Sequence, residues 1–401
     1  MIKKSLVALA VLGVAGMASA QSSVTLFGVL DTGVSYYDGK TAGGAKTSKW
    51  VQSTSGLNSS RIGFRGTEDL GAGMAASFWI EAGVANDTGS VGGGSATGGN
   101  ASGVPNTATA FFNRRSTVSL SGGFGEVRIG RDYTATFLND SVFDPFGTDG
   151  GGTNHILMTR VLTDLNAVRA SNMVGYFLPG NLGGFYGQAQ ANFHENVKTS
   201  GVTVSKAGRY IAGRFGYANG PLDVAAAYGQ STTFDLPVCP TTAACLNQSK
   251  QKIFNLGASY DLGMIKPMAE FSQVKIFDDS FSPFKADVST RRRGLTAGFT
   301  APVGAGLIRA SYSYVKDTVN PNTTYYGSDL KSMKLALGYV HNLSKRTALY
   351  ATYAHIKNQN GADYTVSIPS GIAAPSFAAT RTSGAMSSTS NGMDFGVRHS
   401  F

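Results

Sequence analysis

Apolar and polar residues alternate along most of this chain in units of about ten residues, and each unit ends in a turn. In the last unit, Met393, Phe395 and Val397 share one face, whereas Asp394 and Arg398 share the other. A period of two residues predicts β-strands that have one apolar face and one polar or small face. The pattern continues to the C-terminus without a linker, which favours one large all-β domain over several smaller domains.

The connections between these units are alternately short and long. Short turns, such as those at 122–125 and 219–221, follow every second unit, and loops rich in Gly, Ser or Asn follow the others. We count about sixteen strands between Ser23 and Phe401. This layout predicts a transmembrane antiparallel β-barrel with short periplasmic turns and long external loops, and a barrel of this size encloses an aqueous channel.

One connection is too long and too rich in glycine to be a hairpin turn. It runs from about Phe137 to Arg169 and contains three acids, Asp140, Asp144 and Asp149. An irregular segment of this length inside a compact domain is usually functional. We predict that it is a third loop folded into the lumen of the barrel, where it narrows a water-filled pore.

The first twenty residues have a pattern of their own. Two lysines precede an apolar run from Leu6 to Val14, and an Ala-Ser-Ala tripeptide ends at Ala20. This pattern predicts a secretory signal peptide, residues 1–20, that is cleaved before Gln21. The apolar run is too short to cross a bilayer as a helix, and no later stretch has about 18 consecutive apolar residues.

Composition agrees with a barrel domain over residues 21–401. Only 14% of the whole chain is charged, and it contains 52 Gly, 17 Tyr and 23 Phe, which favours strands and turns. Loss of two lysines with the signal peptide lowers the net charge from +10 to +8. No basic-aromatic module for nucleic acid accompanies this charge, the five histidines lack metal-ligand spacing, and no phosphate-binding loop is present. We therefore expect no nucleic acid, metal or cofactor.

Several motifs make the chain resemble the general porins of the Gram-negative outer membrane, in the branch found in β-proteobacteria. The resemblance spans the mature chain, and its motifs are Val24–Asp31, Ser60–Gly71, Phe112-Asn113-Arg114, Gly123-Phe124-Gly125 with Gly130-Arg131, Asp144-Pro145-Phe146-Gly147 and the terminal Phe401. It implies a homotrimer in contact with outer-membrane lipid and lipopolysaccharide. It also implies that the third loop enters the pore and that the outer-membrane assembly machinery reads Phe401 as a signal.

A diffusion pore requires a narrow wet passage with an electric field, since rings of charge select ions. In the second strand, Ile62 and Phe64 define the outward face, so Arg61 and Arg65 are expected to face the lumen. By the same parity Glu81 faces the lumen in the third strand. These three residues are the first candidates for the pore constriction.

The remaining candidates are less regular in their spacing. Strand parity turns Arg115 inward, whereas the family motif favours Arg114, and a bulge would reconcile the two. Arg131 and Arg169 could complete the basic wall. On the inserted loop, Asp140 and Asp144 are expected to face these arginines, whereas Asp149 is expected at the tip in solvent.

Two further groups lie near predicted loops. The run Arg291-Arg292-Arg293 begins where a strand meets its outer loop, so we interpret it as a solvated or lipopolysaccharide-facing rim rather than part of the pore. Cys239 and Cys245 lie in one external loop of an exported chain, which favours a disulfide that tightens that loop.

The sequence therefore predicts a passive diffusion channel for small hydrophilic solutes and ions in the outer membrane. The surplus of arginines on the wall predicts a preference for anions. A barrel enzyme such as a lipase or protease is an alternative, but it needs converging Ser-His or Asp-His partners, and no spacing indicates them. A role of the long outer loops in adhesion is a third hypothesis.

Overall fold

The computed structural model describes residues 23–41, 43–92, 110–161, 164, 166–195, 200, 206, 208–234, 248–279, 289–318, 329–366 and 387–401. The predicted signal peptide lies outside these residues. The two cysteines of the predicted disulfide, Cys239 and Cys245, also lie outside them.

Strands dominate the part of the chain that the structure describes, and two short helices interrupt them. The strands are β1 (Ser23–Thr41), β2 (Lys46–Thr54), β3 (Arg61–Gly71), β4 (Met74–Ala85), β5 (Ser90–Val91), β6 (Arg115–Gly122), β7 (Gly125–Tyr133), β8 (Arg169–Phe177), β9 (Phe185–Asn192), β10 (Tyr210–Asn219), β11 (Leu222–Phe234), β12 (Gln248–Tyr260), β13 (Lys266–Asp279), β14 (Ser289–Val303), β15 (Gly306–Thr318), β16 (Asp329–Asn342), β17 (Thr347–Gln359) and β18 (Ser387–Ser400). The helices are α1 (Ala135–Val142) and α2 (His155–Val161).

The strands form one closed antiparallel ring, because the first strand, β1, pairs with the last, β18. Strands β2 and β3 share one position in the wall, since β1 pairs with β2 through its C-terminal half and with β3 through its N-terminal half. The two-residue strand β5 pairs with β4, and β6 continues the wall beside β4. The wall thus has sixteen positions, which confirms the predicted barrel.

Short turns and long connections alternate around the ring, as the sequence predicted. At one end, two residues join β3 to β4 and two join β6 to β7, whereas thirty-five residues, 134–168, separate β7 from β8. The turn between β3 and β4 has three consecutive residues with positive φ, at Gly71, Ala72 and Gly73. Glycine adopts this left-handed region without steric cost, which explains two of these three residues.

The two faces of each strand differ in their exposure. In β16, Leu335, Leu337 and Tyr339 are exposed, whereas the intervening Lys334 and Ala336 are buried. A chain that exposes a row of large apolar side chains requires an apolar surrounding, and the alternation gives the barrel an apolar outer band. Within the described ranges, no helix is both long and apolar enough to cross a membrane.

Candidate functional site

The connection between β7 and β8, residues 134–168 and hereafter the insert, contacts strands far apart in the ring. Asn139 donates a hydrogen bond to a main-chain carbonyl of β11, and the backbone amide of Gly151 donates to Asp394 of β18. Lys334 of β16 donates a hydrogen bond to the backbone carbonyl of Thr153 in the insert. A segment of this length reaches opposite walls of a closed ring only from within it. The insert therefore occupies the lumen.

The two helices of the insert pack against one part of the ring, and space remains between the insert and another part. Helix α1 contacts β9 to β12, and α2 contacts β14 and β15. Between the insert and the opposite wall lies a cavity of about 720 Å³. From the wall, Arg61, Arg114, Tyr133 and Arg169 line this cavity. From the insert, it is lined by Phe137, Leu138, Ser141, Gly147, Thr148, Asp149, Leu157, Met158, Val161 and Val168.

Arg114 is fixed by a carboxylate on the neighbouring strand. Its Nε donates to Oε1 of Glu81 at 2.5 Å, and the indole of Trp79 donates to the other oxygen of Glu81 at 3.2 Å. Both members of the ion pair are buried. Arg114 therefore largely compensates the negative charge of Glu81 where the pair borders the cavity.

The hydroxyl of Tyr133 links two arginines of the wall. It accepts hydrogen bonds from Arg114 at 3.0 Å and from Arg169 at 2.9 Å. The guanidinium of Arg169 also lies over the Tyr133 ring, 4.4 Å from its centroid. On the side of the insert, the same ring stacks on Phe137 at 4.8 Å. Tyr133 thus holds two cations at the cavity and connects them to the insert.

Both Arg114 and Arg115 lie on the lumen side, and they reach it differently. Arg114 lies in a bend before β6 and lines the cavity, whereas Arg115 is the first residue of the strand and pairs in register with Glu81. Arg115 makes an ion pair with Asp132 at 3.4 Å and lies over the Trp79 ring. It does not line the cavity, so its place in the constriction stays a prediction.

Arg65 and Arg131 also do not line the cavity, and their place in the constriction stays a prediction. Arg65 is four residues closer to the short-turn end than Arg61, and its exposed guanidinium lies over the rings of Phe27 and Trp79. Four residues of a strand span about 13 Å, so Arg61 and Arg65 lie at different heights along the barrel although both belong to the same face of the strand. Arg131 lies at a register shift in β7 and donates to a backbone carbonyl and to a serine of β8.

Asp140 was expected to face the arginines of the wall, and this prediction was wrong. It makes an ion pair with Arg160 of the insert itself, and neither side chain is exposed. Asn255 of β12 donates to its second oxygen at 3.2 Å. A buried carboxylate must be paired and hydrogen-bonded, and Asp140 has such partners away from the cavity.

Asp144 is likewise a structural residue of the insert. Its carboxylate accepts hydrogen bonds from the backbone amides of Phe146, Thr148 and Asn154, at 2.8 to 3.0 Å. Burial raises the pKa of Asp144, and these three donors oppose that rise. The residue fixes the shape of the tight Gly-rich segment. Its assignment as an acid facing the wall arginines was wrong.

Asp149 is the acid of the insert that lines the cavity, although it was expected in solvent. Ser59, on the bend between β2 and β3, donates to its carboxylate at 2.6 Å. Desolvation raises the pKa of Asp149 to about 6, against the opposing pull of Ser59, Arg114 and Arg61. The cavity therefore has three guanidinium groups on the wall and one titratable carboxyl group on the insert.

The central residue of the predicted basic rim belongs to the lumen. Arg292 is buried, makes an ion pair with Asp317 at 2.8 Å, and donates to the carbonyl of Thr159 in the insert. Its neighbours Arg291 and Arg293 are exposed, as expected of a rim. Arg292 thus holds α2 against the wall. The strand alternation of β14 was the signal that could have placed it.

Sequence reasoning also missed the apolar side of the cavity. Leu138, Met158 and Val161 are half-buried, and they line it opposite the arginines. Each lies on a helix of only seven or eight residues, which is too short for a helical periodicity to be recognised in the sequence. Among the described residues, no group of three or more His, Cys, Asp or Glu could hold a metal ion.

A closed ring of sixteen strands with an apolar exterior, an insert in its lumen and a charged cavity beside that insert defines a channel of the outer membrane. The family model described as Gram-negative porin matches residues 5–361. The chain belongs to this family. Its function as a porin and its outer-membrane location, both predicted from the sequence, are confirmed by this membership.

Individual relatives match the chain over most or all of its length. The chain is 38% identical over 407 residues to outer membrane porin protein 32 of Delftia acidovorans, with all of both chains covered. It is 32% identical to an outer membrane porin protein of Bordetella pertussis, over 89% of this chain and 95% of the relative. The solved anion-selective porin from Comamonas acidovorans is 34% identical, with a TM-score of 0.73 over 95% of this chain and 100% of that one.

Proposed function

We propose that the channel prefers anions and that the cavity between the insert and the arginine wall is its constriction. Arg61, Arg114 and Arg169 contribute three positive charges to this cavity. Asp149 contributes one negative charge, and the negative charge of Glu81 offsets that of its partner Arg114, so a net excess of one positive charge remains. An excess of fixed positive charge in a narrow passage between low-dielectric walls raises the local concentration of anions.

The distribution of the acids carries this proposal. Asp140 and Asp144 bind partners within the insert or in the wall behind it, so their charges stabilise the insert and do not face the cavity. The arginines Arg61, Arg114 and Arg169 line the cavity. The Comamonas relative is named an anion-selective porin, which supports the same preference for this chain.

The proposal includes the assembly and export of the chain. Residues 1–20 act as a signal peptide, Cys239 and Cys245 form a disulfide, and three copies form a homotrimer embedded in lipid and lipopolysaccharide. A solved outer membrane protein of Vibrio cholerae described as a trimer form has the same fold, at 15% identity and a TM-score of 0.62 over 95% of this chain and 99% of that one. Phe401 extends the barrel seam beyond β18 and is the residue that the assembly machinery would read.

Zero-current potentials across a planar bilayer test the anion preference. The purified protein is inserted into a bilayer that separates two KCl solutions of different concentration. The dilute side is kept near 0.1 M, because fixed charges still act over about 10 Å at that concentration. A potential of the anion-selective sign is expected. A potential of the cation-selective sign would contradict the preference. Current steps in groups of three would support the trimer.

A further inference from the structure

We infer that the constriction discriminates among anions and favours small carboxylates that carry an apolar body, such as an aromatic ring. The inference rests on the proposed anion preference and adds a second determinant to it. The arginines select for charge, and the apolar face of the insert selects for the remainder of the molecule.

The apolar face arises from the spacing of residues on the two helices. In α1 the cavity is lined by Phe137, Leu138 and Ser141, and in α2 by Leu157, Met158 and Val161. Both sets have the spacing i, i+1, i+4, which places three side chains on one side of a short helix. The acid of α1, Asp140, points elsewhere and pairs with Arg160.

Close packing of the insert leaves part of this face open to the cavity. Phe137 and Leu157 are buried, whereas Leu138, Met158 and Val161 retain partial exposure. Apolar side chains that are exposed in a narrow passage gain when a ligand displaces water from them. A polar surface would serve an unselective passage better.

The apolar face and the positive charges are close enough for one small ligand to touch both. The ring of Tyr133 separates them: its hydroxyl accepts from Arg114 and Arg169, and its face stacks on Phe137 with 22° between the ring planes. A carboxylate bound to the arginines would therefore direct its apolar body along Tyr133 towards Leu138. The cavity, about 720 Å³, lies within the size range of small-molecule sites.

The expected preference is modest. If a phenyl group covers about 50 Å² of apolar surface at the face, the usual hydrophobic coefficient gives about an eightfold gain in affinity over a carboxylate without the ring. A channel requires this weakness, since a solute that binds tightly does not leave.

Benzoate and acetate form a matched pair of probes, because both are monovalent carboxylates and they differ in the apolar body. Each is added to the full-length protein in a planar bilayer in KCl, and the concentration that halves the chloride current is measured. Benzoate is expected to act at about one-eighth of the acetate concentration. Equal concentrations would overturn the inference. The zero-current potential in KCl alone, recorded on the same channels, reports separately on the proposed anion preference.

Substitutions assign the effect to the insert. Leu138→Asn and Met158→Gln replace half-exposed side chains of the face, and each is expected to bring the benzoate concentration close to that of acetate. Val142→Asn is the control, because Val142 is an apolar residue of α1 that is 38% exposed and does not line the cavity. The inference is overturned if the first two variants keep the eightfold ratio, or if Val142→Asn loses it as they do.

Discussion

Arg160 of α2 makes an ion pair with Asp140 of α1, and neither side chain is exposed to solvent. The same guanidinium donates to the carbonyl of Ala167 at 2.8 Å, near the end of the insert. One arginine thus joins both helices to the segment that returns to β8. Since the pair is fully buried, it fixes the insert and contributes little field to the cavity.

Replacement of Arg160 by Met should loosen the insert. Removal of one partner leaves the Asp140 carboxylate buried without its counter-ion, which costs about 3–5 kcal/mol. We expect a channel with noisier open current and a larger mean conductance, recorded in planar bilayers. The barrel wall should still resist unfolding in a heat-modifiability gel, since the strand ladder is unchanged.

The double variant Arg160→Met with Asp140→Leu is the control for this prediction. It removes both charges and fills part of the space with apolar atoms, so it should recover a quieter current than the single variant. An Arg160→Met channel as quiet as the unmodified protein would show that the remaining contacts, such as Gly151 to Asp394, suffice to fix the insert.

The fold was predictable from the sequence because strand alternation and turn rhythm are local signals that repeat around the ring. The pairing of Asp140 was not, because its partner Arg160 is twenty residues away on a second short helix. Parity correctly turned Arg61 and Glu81 towards the lumen. It carries no information about height along the barrel, and so it could not separate Arg61 from Arg65.

Replacement of Arg61 by Gln should reduce the anion preference more than replacement of Arg65 by Gln. Arg61 lines the cavity, whereas Arg65 stacks on Phe27 and Trp79 nearer the short-turn end. One unit charge about 7 Å from an ion in water is worth about 0.6 kcal/mol, and because the effect has opposite signs for an anion and a cation, the anion-to-cation permeability ratio changes about sevenfold. Zero-current potentials in a KCl gradient measure this ratio. Equal losses in the two variants would contradict the assignment of the cavity as the constriction.

Acidification should increase the anion preference. The pKa of Asp149 is raised to about 6, chiefly by desolvation, so its carboxyl group is neutral below that pH and negative above it. Protonation removes the insert's negative charge from a cavity that keeps three arginines. We expect the anion-to-cation permeability ratio to rise about sevenfold between pH 8 and pH 5, by the same estimate for the loss of one charge.

Asp149→Asn is the control for the pH effect, and its permeability ratio should be high and flat across this range. His155, the histidine at the start of α2, does not interfere. Desolvation and the nearby Lys334 and Arg292 hold its pKa well below the ordinary value, which favours its neutral form. A pH dependence in the Asn variant equal to that of the unmodified protein would assign the titration to another group.

The seam of the barrel gives the last prediction. The backbone of Phe401 exchanges two hydrogen bonds with Gly28, at 3.0 and 3.1 Å, and its ring covers that glycine. A Cβ at position 28 would lie 2.2 Å from the ring, so Gly28→Ala must displace it. Overpacking of this kind costs about 1–3 kcal/mol.

We therefore expect Gly28→Ala to lower the unfolding temperature of the barrel, measured as the loss of the fast-migrating folded band on a heat-modifiability gel. Gly123→Ala is the matched variant, because a Cβ at that turn position meets nothing within 4 Å. It should unfold close to the unmodified protein. The same loss in both variants would mean that contact between Gly28 and Phe401 does not limit stability, since only one of them alters the place where the first strand meets the last.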